Sequence, residues 1–425
     1  MKIPILLYTI VLMIISQILF AQFSLFVAIP LLLILIIRHL TINSFGLKKV
    51  LFLAFIVLLG FISSLAHLHE YNLYYFTRDI MYFTQALVFI VLGIFLYEEI
   101  KDFRKLLKII VLSSFAITLY KLTYIVTDPT ILLLSFIDIR YEYNLSNDMA
   151  LIALIIIFYS RKLKYKLFNS MIEFSIMALS ILSIAVSFSR TIYVLVLITL
   201  IIPYITKTKI LLKSYVMFTM LILFIIFGGL FIDNEVGGTQ GSDFQSKIMH
   251  SLEEITVRDY ESMVDINHNW RGFEAYLGLQ KYYTGNPLEI LIGQGYGSVV
   301  YTPNWVFKDA ETNLDVLPMF HNGYITIILK TGLFGLFLFF FWLYVLLKTG
   351  TSISKTANNG QQRLEGSFLQ ASVFIIFFQT LVIHGIFKTT VPVLLLILIG
   401  IALHSYGARM NTKKNVMYIK TREIE

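Results

Sequence analysis

The amino-acid sequence predicts an all-α integral membrane protein of about twelve transmembrane helices with one large helical extracytoplasmic loop. Three observations predict it. Hydrophobic residues make up 57% of the 425 and charged residues only 14%, at a mean hydropathy of +0.78, which no ordinary soluble domain carries. Apolar runs recur between charged clusters, many near the roughly 20 residues that a helix needs to cross a hydrocarbon core about 30 Å thick. Lysine and arginine fall unevenly among the connections, which fixes an orientation.

In chain order the runs lie near 3–20, 23–37, 49–65, 80–97, 107–126, 149–160, 170–187, 191–206, 214–232, 323–347, 366–387 and 390–406. The first has the look of a signal peptide, but a second run follows almost at once with no A-x-A site between, so it reads as retained. The run at 149–160 is short and that at 323–347 can break near Gly332, so eleven to thirteen spans bracket the count. With the N-terminus inside, cytoplasmic segments hold 23 of the 34 basic residues. The chain then divides into nine spans over 1–232, a large exterior loop at 233–320, three spans over 321–408 and a basic cytoplasmic tail at 409–425, which lipid headgroups attract.

The net charge of +8 is mostly this positive-inside signal, and it does not point to a nucleic-acid partner. The outside is acidic. Residues 233–320 hold 13 Asp or Glu against five Lys or Arg, and a segment of that length is too long to be a mere connection. Function is sought there. The absence of cysteine removes disulfides, thiol nucleophiles and thiolate metal sites. No phosphate-binding loop, nucleotide motif or internal repeat is visible, so no cofactor is implied. The segment HLHE at 67–70 could be read as a metal site, although two alternating histidines are common in ordinary loops.

The basic residues left outside are Arg78, Lys121, Arg140, Arg190, Lys247, Arg258, Arg271, Lys281, Lys308, Lys330 and Lys388. Arg190, in SFSRTIYVLV, has almost no loop around it and sits at the outer membrane boundary, where a charge marks a site or snorkels as an anchor. Arg271, in NHNWRGFEAYLGLQKYY, falls on an amphipathic helix, either free for a ligand or paired with Glu274 three residues on. Arg140 and Arg78 lie in the two other exterior loops of any length. His321 and Asn322 stand where an apolar run begins, an odd place for two polar residues.

The order SFSRT at 187–191, WRGFEAY at 270–276, GNPLEILIGQGYGS at 285–298 and HNGYITIILKTGLFGLFLFF at 321–340 resembles the O-antigen polymerase and O-antigen ligase superfamily. The likeness covers roughly residues 140–345. RYEYNLSNDMA also resembles that superfamily's arginine-to-asparagine stretch, but lacks the glycine usual after the arginine.

The resemblance implies a GT-C glycosyltransferase at the outer face of the bacterial cytoplasmic membrane. Its donor would be a polyprenyl-diphosphate-linked oligosaccharide, and energy would come from that activated sugar with no metal. Flippase and chain-length regulator proteins, and membrane lipids, would be its partners. Arg190, Arg271 and Arg140 would bind the diphosphate, since the planar guanidinium makes two parallel hydrogen bonds to phosphate oxygens and keeps its proton. His321 would accept the proton of the acceptor hydroxyl, histidine being the side chain that titrates near neutral pH. Asn322 would cap the following helix. Gly293 and Gly295, in GQGYG, would turn tightly and let backbone amides approach the cavity. Should His321 only position the acceptor, Glu274 is the next choice of base. Trp270, Tyr301 and Trp305 offer rings on which sugars could stack, and His384 is placed to line the cavity.

Three functions fit. A polymerase would move a growing chain onto a fresh lipid-linked repeat, a ligase would move it onto a lipid A core or other acceptor, and a flippase would carry the same lipid. The polymerase is favoured over the ligase because that superfamily's polymerases are numerous and diverse and nothing marks a lipid A partner, and over the flippase because transporters show a pseudo-repeat and mid-membrane ionisable groups, neither of which the sequence displays.

Overall fold

The computed structural model describes residues 21–128, 130, 147–187, 189–205, 260, 262–303, 316–382, 384–387 and 393–422. Among the described residues seven apolar helices come first: α1 (Ala21–Arg38), α2 (Ser44–Leu65), α3 (Leu73–Ile100), α4 (Phe103–Thr127), α5 (Asn147–Lys162), α6 (Ser170–Val186) and α7 (Arg190–Ile205). The loop region then contributes α8 (Met263–His268), α9 (Trp270–Tyr283), α10 (Pro287–Ile292), β1 (Val300–Tyr301) and β2 (Val316–Leu317). Helices α11 (Gly323–Lys355), α12 (Gly360–Val382) and α13 (Val393–Arg422) close the chain.

Among the described residues six helices are long and apolar enough to cross a membrane: α2, α3, α4, α11, α12 and the part of α13 up to Asn411. Shorter apolar helices occupy Ser24–Arg38, Ser170–Val186 and Thr191–Leu200. The runs expected at 3–20 and 214–232 lie outside the described residues, as does most of the loop before Tyr260. The helices start where the sequence supplies an acceptor for their first free amides: the side chains of Asn43, Asn72, Asn169, Asn286 and Asn322 each accept from an amide two or three residues on.

Within the large loop β1 and β2 form a two-residue antiparallel pair, Val300 with Leu317 and Tyr301 with Val316. Helix α13 runs past its apolar stretch to Arg422. Arg409 is the reason visible in the structure: its guanidinium pairs with the buried carboxylate of Glu365 on α12, which also accepts from the Ser405 hydroxyl at 2.7 Å. One turn of helix past the apolar run is thereby held in place.

Helices α3 and α13 cross backbone to backbone. A Cβ on Gly93 would stand 2.1 Å from the Ile397 carbonyl oxygen, and one on Gly400 2.0 Å from that of Ile90, so the contact requires glycine on both sides. Helix α11 packs along α12 and α2, and its Phe339 and Trp342 continue through Phe387 to Phe83 on α3 in a chain of ring contacts. A second, smaller core of Phe273, Leu277, Tyr282, Phe320, Ile325 and Leu329 joins α9 to the first turns of α11. It sets the loop against the bundle.

Candidate active site

The site is built where α9 meets the start of α11. A Cβ on Gly278 would come 2.5 Å from the Ile325 Cγ2, so α9 lies directly on the first turn of α11. One turn earlier, Glu274 reaches His321. Its Oε2 accepts from the His321 backbone N–H at 2.8 Å and lies 2.7 Å from His321 Nδ1. A carboxylate can only accept, so Nδ1 carries the proton and Nε2 of the neutral ring keeps its lone pair. The Glu274 side chain is 6% exposed and that of His321 32%, which shields the carboxylate and leaves the imidazole reachable. Asn322 caps α11 through Tyr324 N at 3.0 Å.

His384 holds the other side of His321. Its backbone N–H donates to the His321 carbonyl at 2.7 Å, its ring Nδ1 donates to the Phe320 carbonyl, and the two imidazoles lie 4.7 Å apart. From the sequence alone it is expected only to line the cavity. Its φ of 59° is a left-handed value that only the turn it serves makes tolerable.

The GQGYG turn is tight, with φ of 83° at Gly293 and 86° at Gly295, but its amides do not open onto a cavity. Gly293 N donates to the Glu289 carbonyl at 2.7 Å, Gln294 N to that of Leu329 at 2.8 Å and Gly295 N to that of Lys330 at 3.1 Å. Tyr296 N donates to Ser64 Oγ at 2.7 Å and Gly297 N to Asp79 Oδ2 at 3.0 Å. This corrects the role expected of Gly293 and Gly295. The physical reason is the kink of α11 at Gly332 (φ 65°): a kink frees carbonyls of the preceding turn, buried polar groups must be paired, and the turn's amides take up those of Leu329 and Lys330. The turn is a fastener between α2, α3 and α11.

That fastener includes a charge cluster that sequence reading missed. Lys330 Nζ lies 2.6 Å from Asp79 Oδ2, both side chains fully buried, and also donates to the Ser298 carbonyl. Arg78 binds the other Asp79 oxygen at 2.9 Å. The available signal was Lys330 inside one apolar run and Asp79 at the head of another. A further polar contact joins α5 to α12, where Gln379 Nε2 donates to Asp148 Oδ1 at 3.3 Å.

Arg271 lies one turn from Glu274 on α9 and is half-buried. Arg190 heads α7, which packs along α12, the helix that leads into the His384 turn. Arg140 and Trp305 lie outside the described residues. Tyr301 is 72% exposed. His67 and His69 are taken up by carboxylates, His67 by Glu70 at 3.5 Å and Glu289 at 3.4 Å, His69 by Glu70 at 3.3 Å.

Fold and site together define a helical membrane protein in which a loop helix delivers a carboxylate to a histidine at the mouth of a kinked helix. Residues 175–340 match the family model described as O-antigen ligase. The match supports the O-antigen polymerase and ligase superfamily and a glycosyltransferase-type enzyme, and it spans Arg190, Arg271, Glu274, Gly293, Gly295, His321 and Asn322. No curated protein matches the chain.

Proposed function

We propose that the protein is a polymerase of lipid-linked oligosaccharide repeat units. It works at the outer face of the bacterial cytoplasmic membrane, in a GT-C architecture of about twelve spans with both termini inside. The observation that carries this reading is the contact of His321 with Glu274. An acceptor sugar hydroxyl attacks the anomeric carbon of the donor glycan, a new glycosidic C–O bond forms, and the bond to the polyprenyl diphosphate breaks. The hydroxyl proton passes to His321 Nε2, while Glu274 holds Nδ1–H and steadies the imidazolium that results. The departing electron pair stays on the diphosphate, whose charge Arg271 and Arg190, with Arg140, offset. Asn322 fixes the backbone beside the histidine.

The description of the matched family favours one second reading, a ligase that moves the glycan onto a lipid A core or another acceptor. Purified protein given lipid-linked repeat units as the sole substrate separates the two. A ladder of products differing by one repeat supports the polymerase; turnover that appears only when a lipid A core is added establishes the ligase.

A further inference from the structure

Polymerisation as proposed brings two polyprenyl diphosphates to one site, and the inference that follows rests on that reading. The donor diphosphate is assigned to Arg271 and Arg190. The acceptor carries a second diphosphate at headgroup level, and nothing assigned so far receives it.

Arg78 lies near the start of α3 with three rings around its guanidinium: Tyr74 at 6.0 Å, Tyr75 at 5.0 Å and Tyr82 at 5.7 Å from the ring centroids. Rings stacked on a guanidinium cover its faces and leave its in-plane N–H donors as the groups a ligand meets, the fork that suits phosphate. Those donors are not all used. Asp79 Oδ1 takes Nη2 at 2.9 Å, but Nε is buried and has no hydrogen-bond partner among the described residues, a costly state for a donor. The other Asp79 oxygen holds Lys330 Nζ at 2.6 Å and Gly297 N at 3.0 Å. Two cations therefore share one carboxylate. The Arg78 side chain is 13% exposed, beside Tyr74, a rim residue 67% exposed.

The cluster is tied to the catalytic histidine by a rigid path. Lys330 lies roughly 10 Å of helical rise below Gly323, and His321 stands just before that helix. A diphosphate at Arg78 would leave its sugar chain room to extend toward His321, with its far end at the base. We infer that Arg78, framed by Tyr74, Tyr75 and Tyr82, is a second phosphate-binding site that holds the diphosphate of the lipid-linked acceptor. The same chemistry would suit a bilayer phospholipid headgroup, and the test separates the two.

The full chain in phosphatidylcholine nanodiscs is titrated with polyprenyl diphosphate, and bound molecules are counted by native mass spectrometry. The parent should bind two per chain and Arg78→Gln one. Arg78→Lys keeps a charge opposite Asp79; it should melt as the parent does and bind the second molecule about tenfold more weakly or worse, because the fork is gone. Arg271→Gln should also bind one; if it binds two while Arg78→Gln binds one, the donor assignment fails and the Arg78 site stands. A parent that binds one molecule, or an Arg78→Gln variant that binds two, overturns the inference. Displacement of the second molecule when phosphatidylglycerol is added to the nanodisc overturns it as well, by showing a general headgroup site.

Discussion

One oxygen of Glu274 binds His321 twice, accepting from its backbone N–H at 2.8 Å and from its ring Nδ1–H at 2.7 Å. The two residues are far apart in sequence, on a loop helix and at a helix mouth, so the contact fixes the loop, the tautomer and the ring angle together. A lone histidine at an interface has no such constraint.

The dyad sets the first expectation. His321→Gln cannot take up a proton near neutral pH, so polymer formation should fall by about 10²- to 10⁴-fold while the donor still binds. Glu274→Gln should cost about 10²-fold or more with the protein folded. Initial rates across pH on purified variants check both. A His321→Gln variant at close to the parental rate would pass the base to another group.

Arg271→Lys should lose most activity although the charge is kept, since an ammonium cannot reproduce the planar fork; Arg190→Lys should behave alike, and Arg258→Lys should be nearly silent. Polymer assays on the three variants decide. Full activity in Arg190→Lys would reduce that residue to an anchor.

Gly295→Ala tests the fastener. The alanine Cβ would sit 2.3 Å from Ser64 N at a φ of 86°, so backbone on both sides must shift. A loss of roughly 2 kcal/mol or more, read as a lower melting temperature in detergent, is expected.

Much of this was legible beforehand, and the rest was hidden for identifiable reasons. Apolar runs of full length announced α2, α3, α4, α11, α12 and α13, because bilayer thickness fixes helix length. Asn322 as a cap and a break at Gly332 followed from local chemistry. The pairing of Glu274 with His321 was not legible, because it depends on how α9 docks on α11, and Glu274 had an equally good local partner in Arg271. The GQGYG amides were misassigned for the same reason: local sequence gives the turn, whereas its acceptors on Leu329 and Lys330 come from another helix's kink. Lys330 and Asp79 each looked like an isolated charge, and only the fold makes them a pair.

That pair gives a stability test. Lys330→Met leaves Asp79 buried with only Arg78 and an amide, and should destabilise by about 3–5 kcal/mol. Asp79→Leu with Lys330→Met removes both buried charges and should recover part of the loss. Thermal unfolding of the two single variants and the double checks this, and strictly additive losses would refute the coupling.

His384 allows the sharpest separation of positioning from chemistry. Its Nδ1–H and backbone N–H hold the Phe320 and His321 carbonyls, so its work on the reaction passes through the neighbouring segment. His384→Ala removes the side-chain donor, leaves the Phe320 carbonyl short of a partner and strains the left-handed φ; kcat should fall by about 10- to 10²-fold with little change in the donor KM. His384→Asn is the informative partner. Its amide nitrogen stands where Nδ1 stood, and asparagine tolerates a left-handed φ, so it should restore most of the rate and the parental pH profile. If His384→Asn is as slow as His384→Ala, the imidazole itself takes part in the chemistry, and the tilted ring 4.7 Å from that of His321 becomes a candidate for moving the proton onward.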